Sequence, residues 1–326
     1  MEALPDLTLH RPATLAELRA LLDANPTARL LGGGTDLLVN LRRGIDTPDV
    51  MVETTRVADL HGLSVADDGA LTVGAAVTLE RLAADPAVRA GWPALAQAAE
   101  AVAGPTHRAV ATVGGNLCLD TRCVYYNQSE WWRSANDYCL KKAGEMCHVA
   151  PKSKICFACF SGDVAPAALV AGATVRLSAP TGEREIPLTD LYREDGAAHL
   201  TLAPGEIVVS LTVPSVAGWE TAYRKVRVRG SVDFPLAGIA MAIQRTDGQV
   251  TALRLATTGT NARPLLVDGI DALLPAPADE AFLDTLERLM GKQMQPMSST
   301  FTPQTYRRRV ALNVMRGLVG GEGLRV

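Results

Sequence analysis

All six cysteines of this 326-residue chain lie between Cys118 and Cys159, and no other feature limits its folding options so sharply. A disulfide framework for a chain of this length would spread its thiols more widely. In a reducing compartment, clustered thiols bind metals or act in catalysis more often than they form bridges. Their order is Cys118-x4-Cys123-x15-Cys139-x7-Cys147-x8-Cys156-x2-Cys159. The same stretch is a compositional island: Tyr125, Tyr126, Trp131, Trp132, Tyr138, Phe157 and Phe160 make up nearly half of the chain's aromatic side chains. Arg122, Arg133, Lys141, Lys142, Lys152 and Lys154 face only Glu130, Asp137 and Glu145, an excess of positive charge inside a chain of formal charge −3. Residues 122–160 therefore read as an insertion with its own electrostatics and its own small core, built from Tyr125, Tyr126, Trp131 and Trp132.

The remainder can bury a large core, since 48% of the residues are hydrophobic and 21% charged, enough for two or three domains. The near-balance of charge offers no field to hold a polyanion, so nucleic acid is not an expected partner. The longest nearly apolar run, Val164 to Val175, falls short of the roughly 18–20 residues that span a bilayer. The opening MEALPDLTLH has neither a basic nor an apolar signal region, and the expected location is the cytoplasm.

Thr14 and Glu17 predict a capping box before a helix through Leu15, Leu18, Leu21 and Leu22. Strands are predicted at Ala28–Leu31, Asp49–Glu53, Leu71–Ala75, Ala173–Ser178 and Glu206–Val213, with helices starting at Thr78 and spanning Trp92–Val102. Beyond Trp219, three strands are predicted: Thr221–Val228, Leu236–Arg245 and Val250–Thr258. The last two turn through Asp247-Gly248, and helices follow at Glu280–Met290 and from Thr302-Pro303. This order predicts an α+β module after an α/β part, with residues 1–217 and 218–326 as the two domains.

Two glycine-rich turns carry the chemistry. Gly32-Gly33-Gly34-Thr35-Asp36 follows a strand, and its glycines allow backbone N–H groups to turn toward an anion. It lacks the Gly-Lys-Ser/Thr of a P-loop and does not fit Gly-x-Gly-x-x-Gly. Alone it is as compatible with a plain turn as with a pyrophosphate site. Ala111-Thr112-Val113-Gly114-Gly115-Asn116-Leu117 supplies a second such turn, and together they could hold one long diphosphate ligand.

Leu30 to Leu37 and Ala111 to Leu117 resemble the two FAD-binding motifs of the flavin subunits of molybdenum hydroxylases, the xanthine and carbon monoxide dehydrogenase family. Ser161-Gly-Asp163-Val-Ala-Pro166 and Lys225-Val-Arg-Val-Arg-Gly-Ser-Val-Asp-Phe-Pro235 resemble that family's following blocks, so the similarity covers essentially the whole chain. It implies an α+β fold: a two-part FAD-binding domain of the vanillyl-alcohol-oxidase type, then a C-terminal α+β domain of a three-stranded sheet plus helices. By position, Leu30, Leu31, Gly32, Gly33, Gly34, Thr35, Asp36 and Leu37 would wrap the FAD pyrophosphate and ribose, with Thr112, Val113, Gly114, Gly115 and Asn116 completing the cradle. Val102, Asp163, Val208 and Lys225 match further flavin-contacting positions. The alternatives are apolar core for Val102 and Val208, a solvated strand lysine for Lys225, and structural carboxylates for Asp36 and Asp163. No residue is assigned as catalytic.

The departure from the family lies between Asn116 and Asp163, where the extra residues, at about 122–160, carry five of the six cysteines. It resembles the [4Fe-4S]-binding insert of the 4-hydroxybenzoyl-CoA reductases, and that resemblance implies Cys123, Cys139, Cys147 and Cys156 as ligands. Cys118 would line the flavin site and Cys159 would pack as a small hydrophobe. Zinc on four thiolates, or on three with His148, is the alternative, although only one Cys-x2-Cys pair exists. The resemblance also implies a hetero-oligomer, a dimer of heterotrimers, with a large molybdenum-cofactor subunit, a small [2Fe-2S] subunit and an acidic ferredoxin as donor. Its expected reaction is dehydroxylation of 4-hydroxybenzoyl-CoA to benzoyl-CoA. The other readings are the flavin subunit of a molybdenum hydroxylase that oxidises a heterocycle or aldehyde, and a zinc-stapled binding module without redox function.

Overall fold

The computed structural model describes residues 4–298 and 302–321; residues 1–3 of the opening segment read above for a targeting signal lie outside them. A small parallel sheet begins the chain, with β1 (Thr8–His10) and β2 (Arg29–Leu31) flanking β3 (Val50–Glu53). Helix α1 (Leu15–Ala24) follows its predicted cap: the Glu17 N–H donates to Thr14 Oγ1 at 3.2 Å. The Glu17 carboxylate accepts from Ala13 N–H, one residue before the cap, so the box closes one position early. Helix α2 (Leu37–Arg42) leaves the first glycine turn.

An antiparallel five-stranded sheet comes next, in the order β4 (Leu63–Val65), β5 (Leu71–Gly74), β8 (Ile207–Val213), β6 (Thr174–Ala179), β7 (Gly182–Pro187). Its register skips between the pairs Arg176–Ser210 and Leu177–Val208, leaving Val209 unpaired with β6. The bulge changes which face β8 presents. Ile207 and Val209 join Leu18, Leu22 and Val52 in one core, whereas Leu211 and Val213, of the same parity, enter the larger core with Leu71, Val73 and Leu177. Between β5 and β6 run α3 (Leu79–Ala84), α4 (Pro86–Gly91), α5 (Pro93–Glu100), α6 (Pro105–Arg108), α7 (Val113–Leu117), α8 (Glu130–Ala135) and α9 (Val164–Val170). Every residue of α9 is buried, which accounts for the apolar run; no helix among the described residues is long and apolar enough to cross a membrane.

The C-terminal sheet is a meander of β9 (Glu220–Val226), β10 (Ala237–Thr246) and β11 (Gln249–Thr258), to which the short β12 (Leu265–Leu266) and β13 (Ala276–Pro277) add. Asp247 and Gly248 turn the hairpin with φ of 51° and 77°, the left-handed pair that a two-residue hairpin loop needs. Side-chain size alternates with strand period. Ala240, Ala242 and Ala256 face the first part of the molecule, where α9 comes close; Ile239, Met241, Ile243 and Leu255 face α10 (Glu280–Gln293) and α11 (Gln304–Gly320). Helix α11 starts one residue later than predicted, with Pro303 at the cap.

The insert departs from expectation in how it fills its interior. It hangs from a bridge in which the backbones of Arg122 and Cys159 exchange hydrogen bonds of 2.7 and 2.8 Å, and α8 is its one helix among the described residues. Tyr126 is buried, but Trp131 is 78% exposed and forms no core. The buried cluster is Cys123, Tyr126, Cys156, Ala158 and Cys159 with Ile45 and Met297 from outside the insert. Asp137, Tyr138 and Ala143 all take positive φ around Cys139, a backbone cost that L-residues carry where the surroundings over-determine the turn.

Candidate functional site

The two glycine turns meet. A Cβ at Gly33 would stand 1.9 Å from the Val110 carbonyl oxygen, and one at Gly32 would stand 2.8 Å from Thr112 Oγ1. Glycine lets backbone pack on backbone at Gly33 and leaves room for the Thr112 side chain at Gly32, a different reason from the open approach to a ligand that the sequence suggested. Gly34 does need its special backbone, with φ of 72°. At the second turn a Cβ on Gly114 would reach Ala75 Cβ at 2.8 Å, while one on Gly115 would meet only Thr112 Oγ1, at 3.0 Å.

Between the turns opens a cavity of about 640 Å³, within the range that holds small-molecule ligands. Leu30, Gly32, Gly33, Gly34, Thr35, Asp36 and Leu37 line it from one side, and Thr112, Gly114, Gly115 and Asn116 from the other. Val102, Asp163, Val208 and Lys225 reach the same space, as does Cys118. Leu31 and Val113 do not line it: Leu31 is held in β2, where its carbonyl accepts from Thr54 N–H at 2.8 Å, and Val113 is fully buried in the main core. Asn116 turns its amide oxygen to the Val164 N–H at 3.0 Å, fixing the second turn to α9.

Asp163 and Lys225 are partners. The Lys225 ammonium donates to the Asp163 carboxylate at 2.8 Å and to the Ala101 carbonyl at 3.2 Å, and the Tyr223 hydroxyl donates to Asp163 at 2.5 Å. Burial pushes the Asp163 carboxyl up, while the ammonium and the hydroxyl pull it back. Lys225 is thus no solvated strand lysine; its side chain is 4% exposed.

The wall also contains residues that the sequence reading passed over. Arg122 pairs with Asp36, donates to Asn40 Oδ1 at 2.7 Å and to Asn127 Oδ1 at 3.2 Å, and stands 5.7 Å from the centre of the Phe234 ring. Its Nε is buried with no hydrogen-bond partner, as is His107 Nδ1 on the same cavity wall. Burial raises the Asp36 carboxyl against the pull of Arg122. Asn40, four residues after Asp36 on α2, also donates to it at 3.2 Å; that helical spacing was the available signal.

Of the six cysteines, Cys123, Cys139, Cys147 and Cys156 line one small void, together with Tyr125, Tyr126, Lys141 and His148. Cys159 is not on it and is buried beside Cys156 and Met297. Among the described residues no three His, Cys, Asp or Glu side chains converge closely enough to hold a single metal ion, so the four thiols surround the void without meeting at one point. His148 is otherwise engaged, its Nε2 lying 2.5 Å from the Tyr138 carbonyl oxygen. Burial raises the Cys123 thiol to about 11 and that of Cys156 to about 12, so both stay protonated at neutral pH unless a cation displaces the proton.

The four lysines of the positively charged insert divide into two groups. Lys141 is 4% exposed, paired with Asp120 at 2.7 Å, bonded to the Gly196 carbonyl at 2.8 Å and 4.8 Å from the centre of the Tyr126 ring. Lys142 donates to the Ile45 carbonyl at 2.8 Å. Both hold the insert together, because burying an ammonium is tolerable only with partners on it. Lys152 and Lys154 alone remain exposed.

Residues 5–216 match the family model described as FAD binding domain in molybdopterin dehydrogenase, and residues 221–319 match CO dehydrogenase flavoprotein C-terminal domain. The chain is 34% identical to the aldehyde oxidoreductase FAD-binding subunit PaoB of Escherichia coli K12, over 86% of this chain and 89% of that one. It is 29% identical to the putative xanthine dehydrogenase FAD-binding subunit XdhB of the same organism, over 91% and 89%. Among solved structures, reconstituted CO dehydrogenase from Oligotropha carboxidovorans superposes with a TM-score of 0.79 at 22% identity, covering 99% of this chain and all of that one, which shows a shared fold. The matched models, the relatives and the two glycine turns closing on one cavity agree: the chain belongs to the FAD-binding subunits of the molybdenum hydroxylase family.

Proposed function

We propose that this chain is an electron-relay subunit that holds FAD in the cavity between its glycine turns and a [4Fe-4S] cluster on Cys123, Cys139, Cys147 and Cys156. The observation that carries the reading is the placement of Arg122. Its guanidinium lines the cavity while the next residue, Cys123, lines the four-thiol void. A four-iron cluster takes four thiolates, one for each iron, and four cysteines line this one void.

FAD exchanges one or two electrons and the cluster one, so a chain with both can pass charge between centres of different stoichiometry. The chain's own residues bind and orient. The glycine turns form the cradle, Asp163 holds the Lys225 ammonium at the cavity wall, and Arg122 and Asn40 fix Asp36. The relay needs partners, a large molybdenum-cofactor subunit and a small [2Fe-2S] subunit in a hetero-oligomer, and residues 1–217 and 218–326 act as its two domains.

Two substrate readings belong to that assembly. Identity with an aldehyde oxidoreductase subunit over most of both chains favours oxidation of an aldehyde and water to the acid, with two electrons and two protons released. The cysteine insert favours the reverse direction, in which 4-hydroxybenzoyl-CoA takes two electrons and two protons from a ferredoxin-like donor to give benzoyl-CoA and water. The purified complex separates them: flavin bands plus a broad absorbance near ~400 nm that dithionite bleaches are expected in both cases. Bleaching by an aromatic aldehyde marks the oxidative reading, and turnover of 4-hydroxybenzoyl-CoA with a reduced donor marks the reductive one. A colourless chain with stoichiometric zinc would end both.

A further inference from the structure

We propose that residues 36–45 form a strut shared by the two sites, so that filling the four-thiol site sets how tightly the cavity holds its flavin. One end of this segment is cavity wall: Asp36, Leu37, Val39, Asn40 and Arg43 all line it. The other end, Ile45, is 4% exposed and packs among Cys123, Tyr126 and Cys156.

Three insert cations hold the strut along its length. Arg122 pairs with Asp36 and donates to Asn40 at 2.7 Å. Arg133, 2% exposed, donates to the carbonyls of Arg43 and Gly44 at 3.3 and 3.0 Å. Lys142 donates to the Ile45 carbonyl at 2.8 Å. Each donor belongs to a segment with little regular structure of its own, whose buried cluster includes the thiols of Cys123 and Cys156. A site of that kind gains its order from the metal, because the ligands are its core and the binding free energy is folding free energy. When the metal leaves, the three cations lose their fixed positions and the strut loses the contacts that shape the cavity wall. Coupling of this kind is reciprocal, so bound flavin must protect the metal to the same degree.

The inference rests on the FAD and [4Fe-4S] reading above, and the experiment keeps the two apart. In the purified full-length complex, FAD affinity is measured by flavin fluorescence before and after chelation of iron, and again after rebuilding with iron and sulfide. Chelation should weaken FAD roughly tenfold, within the range typical of site-to-site coupling, and rebuilding should restore it. Lys142→Met tests the strut from outside the cavity: it should weaken FAD by about threefold or more although its side chain does not line the flavin site. In Arg122→Gln the iron-loaded protein should already bind FAD weakly, and chelation should change little more. Equal affinity with and without iron in the wild type overturns the linkage, as does wild-type affinity in Lys142→Met. A wild-type complex without flavin or iron overturns the functional reading itself, and the linkage with it.

Discussion

The cavity wall and the cysteine insert hold their groups by opposite means. The cavity is built on strands, helices and backbone contacts that exist without a ligand: Gly33 packs on Val110, Gly114 on Ala75, and Asn116 ties its turn to α9. The insert has one short helix, three residues at positive φ and a core whose members include two of the four proposed ligands, Cys123 and Cys156. A preformed site keeps its shape when empty and loses affinity only if its walls are altered. A site whose ligands are its core loses its structure together with its metal.

The sharpest way to break this comparison is Gly33→Val, which should abolish FAD retention altogether, because its Cβ would meet a carbonyl oxygen at 1.9 Å and force the two turns apart. Gly115→Val should be milder, since its Cβ would meet one hydroxyl at 3.0 Å. Flavin-to-protein ratios after gel filtration order the two, and stoichiometric FAD in Gly33→Val would refute the two-turn cradle.

Next in size is the insert. Serine at Cys123, Cys139, Cys147 or Cys156 should remove about four irons per chain, whereas Cys159→Ser should retain iron. Iron analysis of the five variants decides it; a dispensable Cys123 with an essential Cys159 reassigns the quartet.

The boundary between the regions should show in a pH profile. His199 is buried beside the Phe160 ring, its Nε2 has no partner, and burial, with Lys141 nearby, lowers it to about 4 from 6.5. The native imidazole is neutral, so the unfolded chain binds the extra proton. Its contribution is fully present above pH 6.5 and is lost as pH falls from 6.5 toward 4, by roughly 3 kcal/mol in all. Thermal melts of His199→Leu between pH 4 and 7.5 should be flatter than wild type across that window, and an unchanged slope would assign the acid sensitivity elsewhere.

The smallest effect belongs to the insert's outer face. Charge reversal at Lys152 and Lys154 should slow reduction by an acidic ferredoxin at low salt and leave dithionite reduction unchanged, because steering is screened within a Debye length of about 8 Å at physiological salt. Adding Lys141 or Lys142 to the set should instead destabilise the insert, since both are tied to buried partners. Ferredoxin kinetics unaltered at low ionic strength would place the donor on another surface.

Periodicity and turn chemistry in the sequence determined most elements. The Thr14 cap, the Asp247-Gly248 hairpin and the three strands of the C-terminal sheet depend on neighbours within a few residues, so local pattern was sufficient. The glycine turns were legible for the same reason, and motif resemblance assigned four cysteines that the fold places around one void. Tertiary structure alone decided what those residues touch. Gly33 serves a carbonyl 77 positions away in sequence, Lys225 is buried against Asp163, Lys141 is internal, Lys142 is tied to the Ile45 carbonyl, Trp131 is outside, and Arg122 joins the two sites. Charge and aromaticity fix only that a side chain can be buried with partners or left in water; which of the two occurs depends on segments distant in sequence arriving at the same place.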